Sequence, residues 1–246
     1  MTTNASGLHY DAPPIIEAVI QFQYAEPVSK VTQAKLLKRL KREYTNELAL
    51  QTVEASVDFG KRQAAFAAEP KTKLSSHDET DVLIIDPTTL TWSRLAPYQG
   101  WNSFFERVKH DAEIAHNLSG YRQINQLGVR YVNRIDVPSQ KGVFRYEDYL
   151  TINLSLPENW DSINNYGWRL EKTYPELGLL ANIQSAIIAP EIPNHAAFLL
   201  DIDIIRPNSV SAKIEEVFLQ LEKMRCLKNE IFELSITDTA RASFKK

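Results

Sequence analysis

One cysteine, Cys226, stands among 246 residues, so no intramolecular disulfide can form. That fits a reducing compartment, where thiols stay free. Cys226 falls in a helical stretch and is expected to be a buried, inert thiol. Glycine and proline are scarce, at 8 and 12 residues, which excludes collagen-like and low-complexity architectures. Long apolar runs are missing as well. Leu199 to Ile205 is interrupted by Asp201 and Asp203, and nothing approaches the roughly 18 residues that a spanning helix needs. Met1 to Asp11 is polar, without the basic start and apolar core of a signal peptide. A soluble, cytoplasmic protein with no membrane contact is expected. Charge of one sign is absent too: 28 Lys+Arg stand against 31 Asp+Glu, a net −3. Such a balance gives nucleic acid or an anionic membrane no electrostatic hold.

Catalytic signatures are equally scarce. The chain has no HExxH, no paired CxxC, no GxSxG, no GxxxxGK[ST] and no GxGxxG. His110 and His116 do not share a helix face, and His9, His77 and His195 fall in expected loops. No cofactor is expected, and an enzyme is the lesser expectation.

What the chain does have is apolar material: 43% of its residues are hydrophobic and 10% aromatic, ample for a core. After a lead over 1–13, Ile15 to Tyr24 alternates as a strand, with Ile16, Ala18, Ile20, Phe22 and Tyr24 on its apolar face. The spacing of Val31, Ala34, Leu37, Leu40 and Tyr44 predicts a helix from Lys30 to about Leu48. Leu50 to Phe59 and Arg62 to Ala68 read as strands, Pro70 to Thr80 as a polar loop, and Val82 to Asp86 with Leu90 to Leu95 as a hairpin. A helix follows from Trp101 to about Asn117. Tyr121 to Asp136 reads as a long strand with a possible bulge at Gly128. Arg145 to Leu150 is a short helix or irregular. Strands are expected at Ile152 to Leu156, Tyr166 to Thr173, Leu180 to Ile188 and Ala197 to Ile205. A last helix runs from Lys213 to about Leu234, capped by Ser209 or Ser211, with Ile214, Val217, Phe218, Leu221, Met224 and Ile231 inward.

The order of these elements repeats. Residues 14–120 and 121–246 both fit a β-α-β4-α unit, with only Val143 to Leu150 to supply the first helix of the second. An α+β fold is expected: one continuous unit with a duplicated, curved antiparallel sheet and helices on one face, as in the TATA-binding protein. The comparison concerns shape and carries no function. A helix-grip fold, with a sheet wrapped round a long C-terminal helix, is the alternative.

Five segments carry a resemblance: Pro14 to Val19 (PIIEAV), Leu90 to Phe104 (LTWSRLAPYQGWNSF), Leu127 to Ile135 (LGVRYVNRI), Leu199 to Ile204 (LLDIDI) and Ile231 to Phe244 (IFELSITDTARASF). In order and spacing the chain resembles a sporadically distributed bacterial family of similar length. The resemblance implies no activity. Its patchy distribution is similar to that of mobile-element cargo, phage-defence components and toxin–antitoxin partners.

Candidate site residues gather on one phase of the strands. Arg130, Val132, Arg134 and Asp136 share a face of one strand, as Asp201 and Asp203 do of another. Paired arginines on a sheet face can grip a carboxylate or phosphate, because guanidinium offers bidentate bonds. They can equally form a cross-strand charge ladder that holds the sheet. On that face Glu17, Glu54, Asp58, Asp136, Glu171, Asp201 and Asp203 outnumber Arg130, Arg134 and Arg169, a poor surface for DNA. Asp136, Asp201 and Asp203 can be read instead as ligands of a divalent metal in a phosphodiesterase or nuclease. Trp92, Tyr98, Trp101, Phe104 and Phe105 cluster at one strand-to-helix junction; Tyr98 and Trp101, if exposed, would anchor a partner. Lys35, Lys38, Arg39, Lys41 and Arg42 make a basic helix face, either simply solvated or a docking surface for an acidic partner or RNA. The expected function is a protein- or peptide-binding module. Arg130 and Arg134 would donate to the partner; Glu17, Asp136, Asp201 and Asp203 would accept. Whether the chain also pairs with copies of itself is left open.

Overall fold

The computed structural model describes residues 10–58, 63–139, 145–152, 167–208, 210 and 213–244. Nine strands form one antiparallel sheet: β1 (Ile15–Tyr24), β2 (Asn46–Asp58), β3 (Gln63–Ser75), β4 (Asp81–Ile85), β5 (Thr89–Leu95), β6 (Ile124–Pro138), β7 (Gly167–Tyr174), β8 (Leu179–Ile188) and β9 (His195–Pro207). Their order across the sheet is β2-β3-β4-β5-β1-β6-β9-β8-β7. Four helices accompany them: α1 (Lys30–Leu40), α2 (Trp101–Ser119), α3 (Ile214–Ser235) and α4 (Asp238–Ser243). None is long and apolar enough to cross a membrane.

Period-two patterning dictates the sheet. In β1, Ala18, Ile20 and Phe22 are buried, and in β6 Leu127, Val129, Tyr131, Ile135 and Val137 are, all in one hydrophobic cluster with α2 and α3. Phe22 meets Trp92 edge-to-face at 5.0 Å, a geometry that aromatic quadrupoles favour. From α3, Val217, Leu221, Met224, Ile231 and Phe232 enter the same cluster. β9 pairs with β6 over its whole length, from Gln126↔Pro207 to Pro138↔His195.

Several expectations need correction. α1 ends at Leu40 with Lys41 as its cap, not near Leu48. From Asn46 the chain pairs continuously with β3 as far as Asp58, and that cross-strand ladder outweighs the modest helix preference of the segment. Leu36 and Leu40 carry the buried face of α1, while Val31 is exposed. The stretch taken for a loop, Pro70 to Ser75, continues β3. β4 pairs with β3 only over Thr72–Ser75, so Pro70 lies where no third strand requires an N–H. Gly128 pairs regularly with Gln21; the irregularities of the β1–β6 ladder fall between Ile15 and Glu17 and between Gln23 and Tyr24. Cys226 is exposed on α3, not buried. Between β6 and β7 a single helical turn, Tyr146–Asp148, is formed. The strand expected at Ile152 to Leu156 and the caps Ser209 and Ser211 lie outside the described residues, apart from Ile152 itself.

Candidate functional site

Cross-strand register places the predicted residues in two groups. The first lies on the sheet face opposite the buried one. Arg130 stands directly across from Asp203, and Val132 from both Asp201 and Glu17. Arg130 nevertheless binds the diagonal carboxylate: its Nε donates to Asp201 at 2.9 and 3.1 Å and its Nη2 at 2.6 Å. Gln184 Nε2 adds a fourth bond to Asp201 at 2.7 Å. Arg134 donates to Asp136 from Nε and Nη2, at 2.9 and 3.0 Å, and to Glu191 at 2.8 Å. Arg130 is thus paired across strands, whereas Arg134 is held by its own strand and the loop after β8; the donors of Arg134 are largely occupied, while the Nη1 of half-exposed Arg130 is not used among the described residues.

Asp203 is left over. Among the described residues no donor reaches its carboxylate, and burial pushes its pKa up to about 6, with Arg130 opposing, Asp201 adding to the rise and Arg169 opposing. Around it two adjoining shallow clefts, of about 480 and 210 Å³, run over Arg130, Arg169, Gln184 and Asp201, with Val132, Ala186 and Leu199 supplying apolar floor. The extension of β3 adds Lys71 and Lys73 to the strand phase of Ser75, facing away from buried Leu74. The acid surplus of this face is thus smaller than the sequence suggested. Side chains of Glu54 and Asp58 lie outside those described.

Asp136, Asp201 and Asp203 do not converge. Asp136 lies across from Ala197, several pairs along the ladder from Asp201, and is held by Arg134. No group of three or more His, Cys, Asp or Glu suited to a metal ion occurs among the described residues. The geometry therefore gives the phosphodiesterase alternative no support.

The second group sits on the helix side. Trp101 is buried and stacks on Phe105 at 4.7 Å, and the Tyr98 hydroxyl shares a 2.9 Å hydrogen bond with that of Tyr131. Neither is an exposed anchor. Both instead line a cavity of about 330 Å³ between the N-terminal segment, the start of α2, β6 and α3. Burial raises the Tyr98 pKa to about 12 and pushes that of Tyr131 up as well, so both phenols keep their protons. α3 contributes Arg225, Phe232 and Lys228, whose Nζ lies 3.8 Å over the Tyr131 ring centroid.

Lys228 was missed by sequence reasoning, although a signal existed. Position 228 continues the apolar stripe of Leu221, Met224 and Ile231, where a lysine is out of place. On the basic helix, Lys35, Lys38, Lys41 and Arg42 are exposed, and Arg39 and Lys41 pair with Glu43 and Glu47. Among the histidines, His110 is half-exposed, 3.8 Å from Glu43. Compared with known proteins, the chain matches no family model and no curated protein.

Proposed function

We propose that this chain is a binding module, not an enzyme, and that a protein or peptide segment lies across the face of its sheet opposite the described helices. One observation carries this: the half-buried Asp203 carboxylate lacks a hydrogen-bond donor among the described residues and lines a cleft that adjoins one with an apolar floor. A half-buried carboxylate keeps only part of its hydration and has no protein donor in exchange, and a lysine or arginine from a partner would satisfy it. The apolar floor of Val132, Ala186 and Leu199 suits a neighbouring aliphatic side chain. With Arg130 and Arg134 tied to Asp201 and Asp136, the preferred partner is basic and apolar rather than acidic.

The strand order supports an internal duplication. About the β1–β6 junction, β5, β4 and β3 on one side correspond to β9, β8 and β7 on the other, and α2 follows β5 as α3 follows β9. We take this as the TATA-binding-protein arrangement, with charges that suit a peptide better than DNA. The sporadic family that the chain resembles adds a setting, in mobile-element, phage-defence or toxin–antitoxin systems.

A displayed random-peptide library selected on the full chain tests the proposal. Enrichment of peptides with Lys or Arg beside an aliphatic residue is expected. Their affinity falls at least about tenfold in Asp203→Asn, the loss of one charge-assisted bond. No enrichment, or peptides bound equally by Asp203→Asn and Leu199→Glu, would remove the site from this face.

A further inference from the structure

The helix-side cavity holds a charged group that folding does not explain. Lys228 is 6% exposed, and among the described residues it has neither a carboxylate nor a hydrogen-bond partner. Glu230, two residues along α3, is exposed, and the α3 carboxylates bonded to cavity-lining residues are engaged elsewhere. Glu222 accepts from Trp101 Nε1 at 2.7 Å and from Arg225 at 3.2 Å. Glu233 accepts from the Tyr10 hydroxyl at 2.8 Å and from Arg241 at 2.9 Å. Asp11, at the rim, is exposed to solvent. Its Nζ is not sealed in protein but opens onto the cavity; an ammonium held there with little water and no counter-charge is disfavoured, and an apolar residue at this position would continue the helix stripe.

The remaining lining describes the missing counterpart. Tyr98, Trp101, Tyr131 and Phe232 supply aromatic walls, and Arg225 adds a second positive charge. The Tyr98–Tyr131 bond uses one hydroxyl proton and leaves the other free to donate. A volume of about 330 Å³ lies in the range of small-molecule sites. One ammonium and one hydroxyl match the two oxygens of a carboxylate, whereas a phosphate dianion calls for more donors.

We propose that this cavity binds a small aromatic carboxylate, its ring against the aromatic walls and its carboxylate on the Lys228 ammonium. The site is separate from the sheet face and does not rest on the peptide proposal. Binding needs the charged amine, and burial lowers the Lys228 pKa to about 7, with Arg225 adding to the drop and Glu233 opposing it. The other groups that face it are Tyr131 from β6, Tyr98 from the segment before α2, Glu222 from α3 itself, and Tyr10 and Asp11 from the N-terminal segment; Arg241 of α4 acts through Glu233. Binding above pH 7 therefore takes up a proton.

The test is calorimetric titration of the full chain with phenylacetate and benzoate, against benzyl alcohol and inorganic phosphate, in buffers of different ionisation heat. One-to-one binding of a carboxylate is expected, level at pH 5.5–6.5 and weakening about tenfold per unit above pH 7, with proton uptake. Lys228→Met is expected to weaken it at least about tenfold while melting no lower than the parent; Lys223→Met, exposed on the same helix, leaves it unchanged. The pH profile and proton uptake of the parent decide the matter without a variant. The proposal is overturned by no saturable heat at millimolar carboxylate, by benzyl alcohol or phosphate binding as tightly, or by unaltered affinity in a folded Lys228→Met.

Discussion

Two cations are buried on the helix side of the sheet, and their surroundings are opposite. Arg94, on β5, is 7% exposed; its Nη1 donates to Asp81 at 2.9 Å and its Nη2 to the Pro97 carbonyl at 3.3 Å. Arg107 of α2 reaches the same Asp81 at 3.0 Å. Lys228, on α3, is buried as deeply and is held against the rings of Tyr131 and Phe232, without a carboxylate partner among the described residues. The first cluster ties a strand pair to a helix, and every charge in it has an opposite within reach. The second contributes nothing of that kind. The paired charges hold the architecture together; the unpaired one is accounted for by the proposed ligand.

Breaking the first cluster has the largest expected effect. Asp81→Ala leaves Arg94 buried without its carboxylate and lowers stability by about 3–5 kcal/mol, read as a fall in urea midpoint at unchanged m-value. Asp111→Ala comes next. Its carboxylate accepts from the Tyr44 hydroxyl at 2.6 Å and Trp92 Nε1 at 3.1 Å, both buried. Orphaning two donors costs about 2–3 kcal/mol by the same assay.

Lys228→Met reverses the sign. It is expected to stabilise the free protein by about 2 kcal/mol at pH 7, since a buried amine is replaced by apolar packing. The folded pKa, about 7, lies below the unfolded one, about 10.4, so the unfolded chain binds the extra proton between them. Stability of the parent therefore rises from pH 7 to about pH 10, and the advantage of the variant shrinks over that window. The smallest effect belongs to Asp203→Asn. Its folded pKa, about 6, is raised, so protonation stabilises the fold fully below about pH 4 and the contribution is lost as pH rises through 6. The variant should gain about 1 kcal/mol at pH 8 and nothing at pH 4, by thermal denaturation at the two values.

Much of the sheet was legible because alternation is local. Leu127 to Ile135 announces both faces of β6, and Asp201 and Asp203 fall on the polar phase of β9 as expected. The end of α1 was not legible, since Asn46–Asp58 becomes a strand only through pairing with Gln63–Ser75. Nor was the fate of the arginines. Arg130 pairs diagonally with Asp201, which also accepts from Gln184 of a third strand. The cavity was least visible, because it joins Tyr98, Tyr131 and Lys228 from three distant parts of the chain. Only the misplaced lysine in the stripe of α3 hinted at it.

The central position of β1 has a consequence for biosynthesis. β1 leaves the ribosome before either of its neighbours, β5 and β6. Gln21 and its partner Thr91 are 70 residues apart, and at about 5–20 residues per second that is roughly 4–14 seconds of elongation. For that interval Ile15–Tyr24 has both edges unpaired. A nascent strand of that kind is a substrate for holdase chaperones and a nucleus for aggregation. Slow synthesis across β2 to β4 should therefore lower soluble yield more than slow synthesis after β6.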